Sequence, residues 1–276
     1  MSQQEKIAVD RKALLQNKQR IVIKVGTSTI THAATGHINL AKLEAFVRVV
    51  VDLINMGKEV IVVSSGSITV GRQALNLPHR PDTEEAKQAC AAVGQGRLMM
   101  IYEKLFHEYG QITAQILLTK ESITNGECRR NAKRTFFELL RLKVVPIVNE
   151  NDAISVDELL YGNIGDNDTL AAYVTTVIDA DLLILMSDID GLFDDDPNVN
   201  PQASLIDTVA VIDASLEKMA KDTNGDVGTG GMTTKIRAAK MVTEHGADMI
   251  IANGQEITII NDIMQGAALG TLFLAQ

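Results

Sequence analysis

Two lysines stand where lysines are costly. Lys24 lies inside the apolar run RIVIKV (20–25), with one residue between it and Gly26-Thr27-Ser28. A lysine at the end of a buried strand must snorkel to water or meet an anion. Lys235 falls in the first turn of a helix whose pattern spans about 232–245. A cation is mildly unfavourable there, beside the positive end of the helix dipole. The loop before it, Gly225-Asp226-Val227-Gly228-Thr229-Gly230-Gly231, is rich in glycine. Close backbone approach and free amides at a helix start bind anions. The chemistry that accounts for both lysines is the holding of a phosphate. A plain edge lysine and a plain glycine loop are the competing readings. Neither a Walker A pattern nor GxGxxG occurs in the chain, which argues against ordinary P-loop and Rossmann sites.

Four further polar stretches follow or precede buried segments. Asn149-Glu150-Asn151-Asp152 and Asp166-Asn167-Asp168 mix amides with carboxylates. Together they could hold an ammonium and a carboxylate of one small molecule, or each could be turn and cap chemistry. A Mg²⁺ or Ca²⁺ site built from these aspartates is a third reading, although EF-hand spacing is not met. Ser64-Ser65-Gly66 could present a hydroxyl and amides to a carboxylate, or form a tight turn. It is not a GxSxG nucleophile elbow. Ser187-Asp188-Ile189-Asp190-Gly191 reads as another ligand loop or as an Asp-rich turn.

The elements that must position these residues alternate. Apolar, β-branched runs at 20–25, 59–63, 112–118, 144–148, 182–186, 248–252 and 271–274 read as strands. Helical patterns fall at about 39–56, 84–109, 130–142, 168–179 and 232–245. Asn39 is placed to cap the first of these, and Gly57, Gly110 and Gly246 to end helices. Residues 153–162 suit a small hairpin. Strands that are apolar throughout predict a mainly parallel sheet covered on both faces, a three-layer α/β/α sandwich. In such sheets ligands bind beyond the carboxyl ends of the strands, where the polar stretches stand.

A chain of 276 residues with 46% hydrophobic and 22% charged residues can bury one large core. Its net charge of −9 makes nucleic acid and anionic membranes poor partners. No secretory h-region or membrane-spanning run is present, so a cytoplasmic enzyme is expected. Cys90 and Cys128 fit no zinc spacing and read as two buried reduced thiols.

In combination, IKVGTS (23–28), VSSGSITVGR (63–72), AAVGQGRLM (91–99), RRNAKRTFFELL (129–140), VPIVNENDAIS (145–155), GDND (165–168), SDIDGLF (187–193), NPQA (200–203), GTGGMTTK (228–235) and GTLF (270–273) resemble the amino acid kinase family. The NEND and GDND pair is similar to its glutamate-phosphorylating branch. The resemblance implies one kinase domain over 20–276 after an N-terminal extension 1–19, with an N-terminal lobe for the amino acid and a C-terminal lobe for ATP. It assigns Lys24 and Lys235 to phosphate contact and Asp168 to orienting them. Ser65, Asp152 and Asn167, supported by Asn149, become glutamate-binding positions. Ser187 and Asp188, with Thr229, Gly230, Gly231, Met232, Thr233, Thr234 and Lys235, become nucleotide-binding positions. It further implies Mg²⁺ alongside ATP, inhibition by proline, and a homo-oligomer, dimer or tetramer. Departures from the family pattern are a link before Gly165 about three residues longer, Phe193-Asp194 in place of Tyr-Thr, and no RNA-modification-type domain after GTLF, so RNA contact is not expected. Residues 1–19 read as a surface helix or tail.

Overall fold

The computed structural model describes residues 9–154, 167–197, 199–222 and 231–276. Among the described residues eight strands form one sheet: β1 (Arg20–Val25), β2 (Glu59–Ser64), β3 (Ile112–Leu118), β4 (Val144–Glu150), β5 (Leu182–Ser187), β6 (Thr208–Val209), β7 (Asp248–Asn253) and β8 (Thr271–Phe273). Their order is β3-β4-β2-β1-β5-β7-β8-β6, and only the β7–β8 pairing is antiparallel. The expected mainly parallel sheet is therefore present. The described residues also form eleven helices: α1 (Arg11–Gln16), α2 (Thr27–Ile30), α3 (Leu40–Asn55), α4 (Ser67–Ala74), α5 (Glu84–His107), α6 (Lys120–Thr124), α7 (Gly126–Arg141), α8 (Asn167–Val177), α9 (Ala214–Asp222), α10 (Met232–Glu244) and α11 (Ile259–Met264).

The period of two along each strand sorts the core into two layers. Ile21, Ile23 and Val25 of β1 face a cluster with Leu43, Phe46 and Val47 of α3 and Tyr102 and Phe106 of α5. Val22 faces the other way, into a cluster with Phe136 of α7, Leu170 and Val174 of α8 and Ile236 and Val242 of α10. Lys24 has the parity of Val22, so it is aimed at the layer of α8 and α10. β1 sits between β2 and β5, and the connections run out from it in both directions. That is the switch point at which an open parallel sheet leaves a crevice.

Several expectations need adjustment. Asn39 caps α3 by accepting from the Lys42 amide, and Gly57 follows at φ +87°, as expected. The polar residues Ser64, Asn149 and Glu150 belong to strand ends instead of loops. Leu118 and Glu150 are register partners, so the backbone of the polar tail of β4 still pairs with β3. The segment before β1 is no free tail over its described part. Leu15 is fully buried, and the Arg11 guanidinium donates to the carbonyls of Asp207 and Leu269. Cys90 is buried but Cys128 only half-buried, and both are free thiols. The hairpin expected at 153–162 and the longer link before Gly165 lie largely outside the described residues.

The eight-residue helix α4 was not foreseen, and it meets α5 backbone to backbone. A Cβ on Gly71 would stand 1.8 Å from the Cys90 carbonyl oxygen, and one on Gly94 would stand 1.8 Å from that of Ser67. Neither obstacle is a side chain that can turn away. Gly94→Ala and Gly71→Ala are each expected to destabilise the protein by about 3 kcal/mol or more, because the helices must separate. Gly96→Ala, which meets open space on the same helix, should instead be neutral or stabilising by up to about 1 kcal/mol. Urea unfolding of the three variants tests the contrast. Equal stability of all three would show that the crossing tolerates separation.

Candidate active site

The carboxyl ends of β1, β2, β4 and β5 bring the two lysines and most of the polar stretches together. Lys24 and Lys235 both reach Asp168, from β1 and from the first turn of α10. Lys24 Nζ lies 2.5 Å from Asp168 Oδ1, and Lys235 Nζ lies 2.9 Å from Oδ2. All three residues are buried, Asp168 to within 1% of full burial. Asp168 stands in the first turn of α8, where the helix dipole favours a carboxylate. Burial pushes its carboxyl up, but the charges of Lys24 and Lys235 and their hydrogen bonds outweigh that and hold it below the ordinary value. The trio carries one negative and two positive charges, so a buried positive charge is left over for an anion.

Gly26 opens the space beside Lys24. A Cβ there would stand 3.6 Å from Lys24 Nζ, 3.8 Å from Ser28 Oγ and 3.9 Å from Thr29 Oγ1, so three donors converge on the space it leaves. The Thr29 hydroxyl is buried with no hydrogen-bond partner among the described residues. Such groups are rare in folded proteins and mark places where a ligand or water completes the set.

On the β2/β4 side a chain of hydrogen bonds links the polar residues of the strand ends. Asn167 Nδ2 donates to Ser65 Oγ at 2.7 Å and to Asn149 Oδ1 at 3.1 Å. Asn149 Nδ2 donates to Gln95 Oε1 at 2.9 Å. Ser67 Oγ donates to Asp152 Oδ2 at 3.0 Å. Ser65, Asn149, Asp152 and Asn167 line one cavity of about 460 Å³ with Thr27, Arg72 and Arg80. Gln95 escaped the sequence reading. Its signal was a polar residue on the α5 face that also carries the buried Ala91, Gly94 and Leu98.

On the β5/β7 side Ser187 is buried at the strand end and donates to the exposed Asp188 at 3.0 Å. The Gly254 amide donates to the Ser187 carbonyl at 2.6 Å, closing the ends of β5 and β7 together. The N-cap of α10, Gly231, offers no side chain to the first-turn amides. Thr234 Oγ1 donates back to the Gly231 carbonyl at 2.7 Å. The amides of Met232 and Thr233 thus open the helix beside Lys235. Thr229 and Gly230 lie outside the described residues, as do Gly165 and Asp166. Phe193, where the hydroxyl of a tyrosine is missing, bridges to Leu205 through its backbone.

Asp168→Asn leaves two buried ammoniums with a neutral partner. Breaking a buried charge set in this way is expected to cost about 3–5 kcal/mol at neutral pH. Because the folded-state carboxyl titrates below its unfolded value of about 3.9, the stabilisation by Asp168 is complete above that pH and is lost as pH falls through the lower folded value. The stability gap between wild type and Asp168→Asn, measured by urea unfolding, should therefore narrow only on the acid side of about pH 4. A gap that does not change down to the acid transition would mean that Asp168 is not held as a carboxylate.

The sequence profile described as the amino acid kinase family matches residues 19–253. A glutamate 5-kinase of Clostridium perfringens is 49% identical over 267 residues, covering 96% of this chain and 98% of that protein. One from Clostridium acetobutylicum is 51% identical, covering 96% and 97%. One from a Thermoanaerobacter species is 48% identical over 92% of this chain but only 68% of its own length. Among solved structures, carbamate kinase from Giardia lamblia bound to AMP-PNP superimposes with a TM-score of 0.64 at 15% identity, over 95% of this chain and all of that one. UMP kinase from Bacillus anthracis gives 0.61 at 13% identity, over 93% and 96%. These two similarities speak for the fold, and the high identities for the branch. The chain belongs to the amino acid kinase family and, within it, to the group of the glutamate 5-kinases.

Proposed function

We propose that the protein transfers the γ-phosphate of ATP to the side-chain carboxylate of L-glutamate, giving L-glutamyl 5-phosphate and ADP, the first step of proline biosynthesis. The observation that carries this reading is the buried Lys24–Asp168–Lys235 trio, set beside a polar cavity and the glycine-led start of α10. The relatives named above bring the acceptor, glutamate.

The acceptor carboxylate has an unperturbed pKa of about 4.3, so it is already a nucleophile at neutral pH and needs no general base. The work left to the protein is alignment and charge neutralisation. Ser65, Asn149 and Asn167 orient the acceptor through neutral hydrogen bonds, and Asp152 supplies a negative charge for its ammonium. Lys24 and Lys235 approach the transferring phosphoryl group and neutralise it as the bond to ADP breaks. Asp168 keeps both ammoniums aimed. The nucleotide lies along Ser187, Asp188 and the α10 start. Among the described residues no group of three Asp, Glu, His or Cys side chains is close enough to build a metal cage. Mg²⁺ carried in by the phosphates would offset their charge. Asp168, both of whose oxygens meet lysines, serves as aligner. No helix among the described residues is long and apolar enough to cross a membrane.

A glutamate assay with ATP and Mg²⁺, in which hydroxylamine traps the acyl phosphate, tests the reading. Hydroxamate at background level would end it. A panel of glutamate, aspartate, N-acetylglutamate, carbamate and UMP checks the acceptor. The Asp152 charge predicts a strong preference for the free amine over N-acetylglutamate, and equal rates would contradict its role. Lys24→Ala and Lys235→Ala each leave Asp168 with one lysine and no net charge, so the fold should survive. Each should lower kcat by about 10²-fold or more. Proline, which shares the ammonium and α-carboxylate of glutamate, is expected to compete with glutamate for this cavity. Proline affinity that does not change at saturating glutamate would exclude a shared pocket.

A further inference from the structure

We infer that Arg72 and Arg80 form the receptor for the α-carboxylate of the acceptor, so that the cavity selects an amino acid and not merely a carboxylic acid. The inference rests on the glutamate reading above and adds the residues that recognise its third charge. Glutamate carries two carboxylates and one ammonium. The γ-carboxylate must face Lys24 and Lys235, and Asp152 suits the ammonium. Ser65, Asn149 and Asn167 are neutral, so the α-carboxylate has no cationic partner among the assigned residues.

Arg72 and Arg80 line the same cavity of about 460 Å³. Neither makes an ion pair or side-chain hydrogen bond among the described residues, in a protein with nine more formal negative than positive charges. An arginine wall in a cavity that also holds Asp152 and Glu150 is the electrostatic counterpart of a zwitterion. Arg72 is half-buried in the last turn of α4. Gly36 has φ +70°, and a Cβ there would stand 2.9 Å from Arg72 Nη2, so this glycine makes room for the guanidinium. The same loop is tied down, because Gln73 Nε2 donates to the Thr35 carbonyl at 2.8 Å and Thr31 pairs with Ile38. Arg80 precedes Pro81, a buried residue that also lines the cavity, and this anchors the loop carrying it. A planar guanidinium with several donors is the side chain best suited to grip a carboxylate.

The test compares glutamate with 4-aminobutanoate, which is glutamate without its α-carboxylate. Wild type should prefer glutamate in kcat/KM by about 100-fold or more, since a site built around a charged group rejects the analogue lacking it. R72Q and R80Q should each cut that preference about tenfold or more, with KM for glutamate rising and kcat little changed. R72K and R80K, which keep the charge, should retain more of the preference than the glutamine variants. Where 4-aminobutanoate turnover is too slow to follow, the split between KM and kcat decides. A fall in kcat at constant KM for glutamate overturns the proposal. So does an undiminished preference, or an equal loss for both substrates, which would mark a purely structural role. Wild type that does not phosphorylate glutamate refutes the parent reading and this one with it. Wild type that does so, with arginine variants that keep its preference, refutes this inference alone.

Discussion

A buried carboxylate gripped by two ammoniums at the carboxyl end of the central strand β1 is the constraint on which the remaining geometry depends. Each lysine alone would be a buried charge without compensation, and Asp168 alone would be driven toward its neutral form. Together they leave one positive charge in excess, tolerable at rest and useful when a phosphate arrives. To make the trio, β1 must end, α8 must begin and α10 must begin at the same place. The orientation of the two helices over the second core layer follows from that requirement.

The sheet supplies the rest through parity and order. Because Lys24 shares a face with Val22, it turns toward α8 and α10, while Val25 next to it stays in the opposite layer. Because β1 lies between β2 and β5, the amide chain from Gln95 to Ser65 falls on one side of the lysines and Ser187 with Gly254 on the other. The polar cavity and the Ser187 side are thus separated by a single strand. The lysines stand between them, which is what the proposed in-line transfer requires.

How much of this could be read from the sequence depended on the kind of contact. Strands buried on both faces announce themselves as unbroken apolar runs, so the central strands were legible. Lys24 and Lys235 were legible because each sits where its charge is unfavourable. The partners of Asn167 were not, since Ser65 lies 102 residues away and no local pattern encodes that hydrogen bond. The helix α4 stayed hidden for another reason. Hydrophobic periodicity reports side chains that fill space, and α4 is held by two glycines that leave space. Arg72 lies on that unseen helix and Arg80 in the loop after it, and the sequence reading gave neither a role.

The glycine crossing also determines how readily the enzyme's acceptor preference could be redesigned. With Ser67 and Arg72 on α4, and Gly71 and Gly94 locking that helix to α5, the wall of the cavity is not a repackable surface but a fixed plate. Randomised libraries that include position 71 or 94 would lose members to misfolding before any new substrate could be sampled. Directed evolution of the pocket would have its freedom at Ile68 and Thr69 on the plate's open side and in the 75–83 loop. A lineage that recruits this scaffold for a different acceptor would be expected to keep the two glycines and change what stands around them.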